Sequence, residues 1–252
     1  MNILYSSISE RFIAYHKLNT TKKKAPCVIF HHGLMSNMDG IKALHIEKYC
    51  SNKGYDFIRF DNFGCGKASG KFVNECISTW LDGLNLVIDK LTDGPVLLVG
   101  SSAGAWVTML SAIVNKNRVV GMIGLAPAPD FTEELIWRSL TLAQQEILTQ
   151  NGFIEVDGTN PDCKISYPIN FNLIKDGRKH LLLPKETIEI SCPVHLIHGM
   201  RDVDVPHSVS QRVVEKLATK QVVLKLIKDA DHGLSRPEDL QIICNSITEL
   251  LK

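Results

Sequence analysis

Short apolar runs alternate along this chain with stretches of helical period. Seven runs read as strands: 11–17, 27–32, 56–60, 95–100, 119–125, 193–198 and 221–227. Several are unbroken blocks such as Val96-Leu97-Leu98-Val99, the pattern of strands covered on both faces. Between them, Ile77, Trp80, Leu81, Leu84, Val87, Ile88 and Leu91 recur at helical spacing, as do Ala103, Trp106, Val107, Leu110, Ile113 and Val114. The last helix carries a start signal: Ser235 as N-cap, Pro237 in the first turn and Glu238 completing a capping box. Its stripe is Leu240, Ile243, Cys244, Ile247 and Leu251. Such alternation predicts βαβ units and an α/β fold, a mostly parallel central sheet flanked by helices.

One stretch breaks the rhythm. From Pro127 to Lys185 there are helix-like pieces over 131–150, then Gly, Asp, Asn and Pro punctuation, and no core strand. A long excursion between two sheet strands is usually functional. It is expected to be a helical cap over one end of the sheet, inserted into a single domain spanning 1–252.

Composition narrows the class. Of 252 residues, 44% are hydrophobic and 22% charged, and Lys+Arg (28) nearly balances Asp+Glu (27). A net charge of +1 gives no reason to expect a nucleic-acid partner. The one basic run, Lys22-Lys23-Lys24, reads as a solvated loop. Seven cysteines (Cys27, Cys50, Cys65, Cys76, Cys163, Cys192 and Cys244) are odd in number and lack CxxC spacing, which fits a reducing compartment. The start, MNILYSSISERF, lacks a signal-peptide pattern, and no apolar run is long enough to span a bilayer. A cytoplasmic protein without stable membrane insertion is the expectation.

Candidate chemistry starts at Gly100-Ser101-Ser102-Ala103-Gly104, a G-x-S-x-G pattern between an apolar strand and an amphipathic helix. That is the context of a nucleophile elbow, where a sharp turn lifts the serine to the carboxyl ends of the strands. A serine needs a base. His232, in Asp229-Ala230-Asp231-His232-Gly233, follows the strand 221–227. The base needs an orienting carboxylate. Asp202 and Asp204 both follow the strand 193–198; Asp202 lies in the turn, and Asp204 lies near Pro206, where a helix is expected to start. Asp202 is therefore chosen. Donors for an oxyanion are expected from the backbone N–H groups of Ala103 and Leu34. His31-His32 are adjacent on a strand, so their rings point apart, and a metal site is not expected there. The glycine-rich loop 61–70 lacks the spacing of a phosphate loop and reads as a structural turn.

These segments resemble the α/β-hydrolase family over nearly the whole chain. The resemblance lies in His32-Gly33, the Asp-x-x-Gly-x-Gly-x-x-Ser loop at 61–69, the elbow at 100–104, the His-Gly-x-x-Asp-x-x-Val-Pro segment at 198–206, and Asp231-His232. Within the family the chain is similar to the mitochondrial acyl-protein (palmitoyl-protein) thioesterases that also hydrolyse acyl glucuronides. Gly104-Ala105-Trp106 stands where that group often has Gly-Gly-Trp. The resemblance implies a serine hydrolase of carboxylic esters or thioesters, working without a cofactor on a small-molecule or acylated-protein substrate. Phe131, Leu135, Ile136 and Trp137 are the expected acyl-pocket residues. The alternatives are a serine peptidase on the same fold and a ligand-binding or sensor protein with slow turnover.

Overall fold

The computed structural model of the chain describes residues 1–6, 10–20, 25–157 and 166–252. Lys22-Lys23-Lys24 and Cys163 lie outside the described residues.

An eight-stranded sheet forms the centre. In chain order its strands are β1 (Asn2–Tyr5), β2 (Phe12–Leu18), β3 (Cys27–His31), β4 (Phe57–Asp61), β5 (Val96–Ser101), β6 (Val119–Leu125), β9 (Val194–Gly199) and β10 (Val222–Ile227). They lie side by side as β1-β2-β4-β3-β5-β6-β9-β10. The pairs β1–β2 and β2–β4 are antiparallel, and all the others are parallel. The remaining strands, β7 (Phe153–Asp157) and β8 (Ser166–Asn170), form a separate antiparallel hairpin.

The apolar runs build two cores, one on each face of the sheet, because successive side chains of a strand point to opposite sides. Cys27 and Ile29 of β3 and Val96 and Leu98 of β5 enter one core. Val28 and Phe30, and Leu97 and Val99, enter the other. Helices α2 (Ile77–Leu91) and α3 (Ala103–Val114) cover the first face; α1 (Ile41–Lys53) and α7 (Pro237–Leu250) cover the second. α6 (Ser208–Lys216) lies between β9 and β10 in the chain. Among the described residues, no helix is long and apolar enough to cross a membrane.

α7 starts one residue later than its sequence signal. Its N-cap is Arg236, and the reciprocal partner is Asp239 rather than Glu238. The Ser235 hydroxyl donates instead to the Gly233 carbonyl at 2.8 Å, so it braces the preceding loop and leaves the helix end to its neighbour.

The excursion 127–185 holds a π turn (Thr132–Ile136), a 3-10 turn (Trp137–Ser139), α4 (Leu142–Asn151), the β7–β8 hairpin and α5 (Phe171–Gly177). α4 fills its N-terminus with a Thr141–Gln144 capping box and ends at Gly152 in the left-handed region. The Asp130 carboxylate anchors the far end of the excursion by accepting from the N–H groups of Leu182 and Leu183.

Candidate active site

The strand-to-helix turn after β5 puts Ser102 in a conformation that L-residues rarely adopt, φ 55° and ψ −122°. Two close approaches dictate its flanking glycines. A Cβ at Gly100 would stand 2.6 Å from Ala105 Cα, and one at Gly104 would stand 2.2 Å from the His32 carbonyl oxygen. The turn is sewn to its neighbours: Ser102 N–H donates to Leu125 O at 2.8 Å, and Ala128 N–H donates to Ser102 O at 3.2 Å. Strain held by such surroundings typically marks a functional site.

Two further loops leave the carboxyl ends of β9 and β10 and lock to each other. Arg201 N–H donates to Ala230 O at 2.9 Å, and Met200 N–H donates to Ile227 O at 2.8 Å. These loops carry Asp202 and His232. His232 Nε2 lies 3.0 Å from Ser102 Oγ, and its Nδ1 lies 2.6 Å from Asp202 Oδ2. Burial alone would raise the Asp202 carboxyl, but hydrogen bonds from His198 and His232 hold it well below the ordinary carboxylate range. Asp202 is thus ionised and accepts from Nδ1–H, which leaves His232 Nε2 with a lone pair facing the serine hydroxyl. The structure brings all three residues together, although Ser102 and His232 are 130 positions apart. Asp204 lines the cavity, and Asp202 Oδ1 accepts from its backbone N–H at 2.9 Å.

Ser102 opens onto a cavity of about 440 Å³. Leu34 and Ala103 both line it. Ala103 is the first residue of α3, so its N–H has no carbonyl of its own helix to reach. The Leu34 peptide is set from behind. His32 Nε2 accepts from Asn62 N–H at 3.2 Å, so Nδ1 carries the proton and donates to Gly33 O at 2.8 Å. A trans peptide opposes its C=O and N–H, so holding the Gly33 oxygen turns the Leu34 N–H the other way. His31 is tied similarly, with Nδ1 to His32 O and Nε2 to Asn62 Nδ2, each at 2.8 Å. Burial pushes the His31 imidazole down to about 3 and lowers that of His32, so both rings are neutral supports. The loop 61–70 is braced as well. Asp61 accepts from Met38 N–H at 2.6 Å and from Lys67 N–H at 2.8 Å.

Phe131, Leu135 and Ile136 line the cavity, with Val156, Tyr167 and Ile169 of the hairpin. Trp137 does not. It packs against the Phe171 ring at 6.1 Å and under the Arg178 guanidinium at 4.7 Å. Consecutive residues of a helical turn cannot all face one side, and Trp137 falls where the π turn gives way to a 3-10 turn. Sequence reasoning missed Ser36, Asn37 and Lys42, which also line the cavity. Lys42 donates to Gly233 O at 2.5 Å, beside His232.

Among the described residues, Asp202, Asp204 and His232 bring possible metal-ligand atoms within 4.8 Å of one another. Both Asp202 oxygens already accept hydrogen bonds there. Among the described residues, six cysteines are free and buried. Burial pushes the Cys65 thiol up to about 12 and that of Cys192 to about 11, so neither competes with Ser102 as a nucleophile.

Known proteins agree with this architecture. Residues 22–152 match the family described as "Serine aminopeptidase, S33". The mitochondrial palmitoyl-protein thioesterase ABHD10 of Bos taurus is 35% identical over 244 residues, 95% of this chain and 76% of that one. A putative hydrolase from Agrobacterium vitis S4 superposes with a TM-score of 0.92 at 33% identity, over 100% of this chain and 97% of the other. Mouse ABHD10 superposes with a TM-score of 0.87 at 30% identity, over 99% and 97%. The expectation of a cytoplasmic protein is corrected by these relatives: the ABHD10 proteins of cattle, orangutan, human, mouse and rat are all named as mitochondrial. In fold and in sequence, this chain is a hydrolase belonging to the α/β-hydrolase family, similar to its ABHD10 thioesterase group.

Proposed function

We propose that this enzyme cleaves acyl thioesters and carboxylic esters through a covalent acyl-Ser102 intermediate. The observation that carries the reading is the aligned set of contacts, Ser102 Oγ to His232 Nε2 at 3.0 Å and His232 Nδ1 to Asp202 Oδ2 at 2.6 Å, opening on an apolar cavity. His232 takes the Ser102 proton as the oxygen attacks the acyl carbonyl. The N–H groups of Leu34 and Ala103 hold the oxyanion, in fixed positions that need no rearrangement as charge develops. His232 then protonates the leaving thiol or alcohol and activates the water that frees the acid. Asp202 keeps the imidazole in its Nδ1–H form and stabilises the cation that forms.

Residues 127–185 act as a cap in this reading. Support comes from Phe131, Leu135, Ile136, Val156, Tyr167 and Ile169, which all lie in the excursion and all line the cavity. They offer an apolar wall for an acyl chain, while Ser36, Asn37 and Lys42 offer polar groups to the leaving side. The substrate is an acylated small molecule or protein.

The family description "Serine aminopeptidase, S33" favours a second reading, peptide-bond cleavage. A panel of acyl thioesters, aryl esters and aminoacyl amides separates the two. Turnover of thioesters and esters with inert amides is the expected result. Amide hydrolysis at a comparable kcat/KM would move the peptidase reading ahead, and tight binding without turnover of any class would point to a sensor protein.

A further inference from the structure

His198 is fully buried, ionisable and unused by the mechanism above. It is the penultimate residue of β9, directly ahead of the loop that carries Asp202. Its Nε2 lies 3.0 Å from Asp202 Oδ2 and 3.0 Å from Val205 O. Both neighbours are acceptors, so Nε2 carries the proton. Its Nδ1 lies 2.7 Å from the buried Ser210 hydroxyl of α6, which donates to it. Asp202 is therefore saturated. Oδ1 accepts from the N–H groups of Asp204 at 2.9 Å and Val205 at 2.8 Å, and Oδ2 accepts from His198 and His232 together.

One carboxylate oxygen thus serves two imidazoles. The His232 bond is the short, charge-assisted one, and the His198 proton is shared between Asp202 and a carbonyl. His198 consequently steers more than it neutralises. Without it, Oδ2 would be held by His232 alone, and its unshared charge would hold a protonated His232 more firmly.

We propose that His198, with its proton held on Nε2 by two acceptors and its Nδ1 tied to Ser210, is a positioning residue of the reaction, aiming the Asp202 carboxylate at His232 and tempering its charge. The proposal rests on the Ser102–His232–Asp202 reading. It assigns a task to the histidine of the His198-Gly199-x-x-Asp202 segment, which sequence reading used only as a marker.

The test compares the wild type with His198→Leu, His198→Gln and Ser210→Ala. The leucine removes the donor. The glutamine amide reaches the same place and can still donate. The alanine removes the hydrogen bond that holds the far side of the His198 ring. The titratable groups around His232 are Asp202 and Asp204, each with an oxygen within 4.8 Å of a ring nitrogen, Lys42 of α1, bonded at Gly233, and Asp231, its neighbour in the chain. All are left intact, so a change in the pH profile reports the lost donor.

For His198→Leu we expect kcat on an aryl ester to fall on the order of tenfold, with KM little changed. The acid limb of its rate profile should move to higher pH, because a less satisfied Asp202 favours the protonated base. His198→Gln should recover most of both effects, and Ser210→Ala should fall between. Wild-type kcat and pH profile in His198→Leu would overturn the proposal. So would equal losses in the leucine and glutamine variants accompanied by a raised KM. If His198→Leu does not fold, an unshifted Ser210→Ala profile overturns it. Fluorophosphonate labelling separates the two levels. No adduct on wild-type Ser102 sinks the underlying reading, whereas a normal adduct with unaltered His198→Leu kinetics sinks this proposal alone.

Discussion

Replacing Asp202 by Asn is the sharpest single perturbation of the site, because the geometry dictates which way the new amide must face. Oδ1 accepts two backbone N–H groups, from Asp204 and Val205, which cannot reverse their polarity. Oδ2 faces two imidazoles, which can. The amide oxygen therefore takes the Oδ1 place and its NH2 faces His232. His232 Nδ1 must then accept, its proton moves to Nε2, and Nε2 presents a proton to Ser102 instead of a lone pair. The base is lost while the fold survives. The corresponding change in serine-protease triads costs about 10⁴ in kcat, or ~5.5 kcal/mol of barrier, and a loss of that order is expected here. Asp202 is not among the cavity-lining residues, so KM should hold. Steady-state kinetics on an acyl thioester, with Asp204→Asn in parallel, decides the matter. An Asp202→Asn enzyme within tenfold of wild type, beside a disabled Asp204→Asn, would refute the assignment and make Asp204 the orienting carboxylate.

Three other outcomes follow from the same geometry. Gly104→Ala drives a methyl group into the His32 backbone and should cost about 1–3 kcal/mol or more, visible as a thermal midpoint lowered by several degrees. Acidification should destabilise the enzyme. The buried His31 is neutral in the fold and free to take a proton when unfolded, so its contribution is present above about pH 6.5 and is lost as pH falls toward about 3. Denaturation across that window should show the slope, and His31→Asn should flatten it. Leu135→Trp should raise KM for long acyl chains more than for short ones, whereas Trp137→Ala, outside the cavity, should leave the chain-length preference unchanged.

The buried strands were legible because their apolar residues are contiguous, and β3, β4, β5, β6 and β9 fall within a residue or two of the expected runs, as does the half-exposed edge strand β10. α1 was not. Its buried positions are Ala43, Ile46 and Cys50, while Ile41 and Leu44 are exposed, which blurs the stripe. β1 is a four-residue, mostly exposed edge strand and carries little pattern. The β7–β8 hairpin had a signal that went unused. Ile154 and Val156 alternate with Glu155 and Asp157, the period of a half-buried strand, but the run is short and abuts the Gly, Asp, Asn and Pro positions that read as loop.

The candidate site was readable in part. Ser102 and His232 each sit in a turn with one obvious reactive group. The choice of Asp202 over Asp204 came from a turn position, and the structure puts the Asp202 carboxylate against His232. His198, Lys42 and the Asn62 brace were invisible for other reasons. Lys42 and Asn62 act through partners distant in sequence, which only the assembled sheet brings within reach, whereas His198 reaches Asp202 only four residues on but through a side-chain geometry that the motif does not reveal. Trp137 shows the converse error, since hydrophobic character says nothing about which side of a turn a residue faces.

The central claim is an activated Ser102. Intact-mass spectrometry after exposure to a fluorophosphonate, on wild type and Ser102→Ala, tests it most directly. One stoichiometric adduct on the wild type, absent from the variant, is the predicted result. An unlabelled but folded wild-type protein, or an adduct that persists in Ser102→Ala, would contradict it.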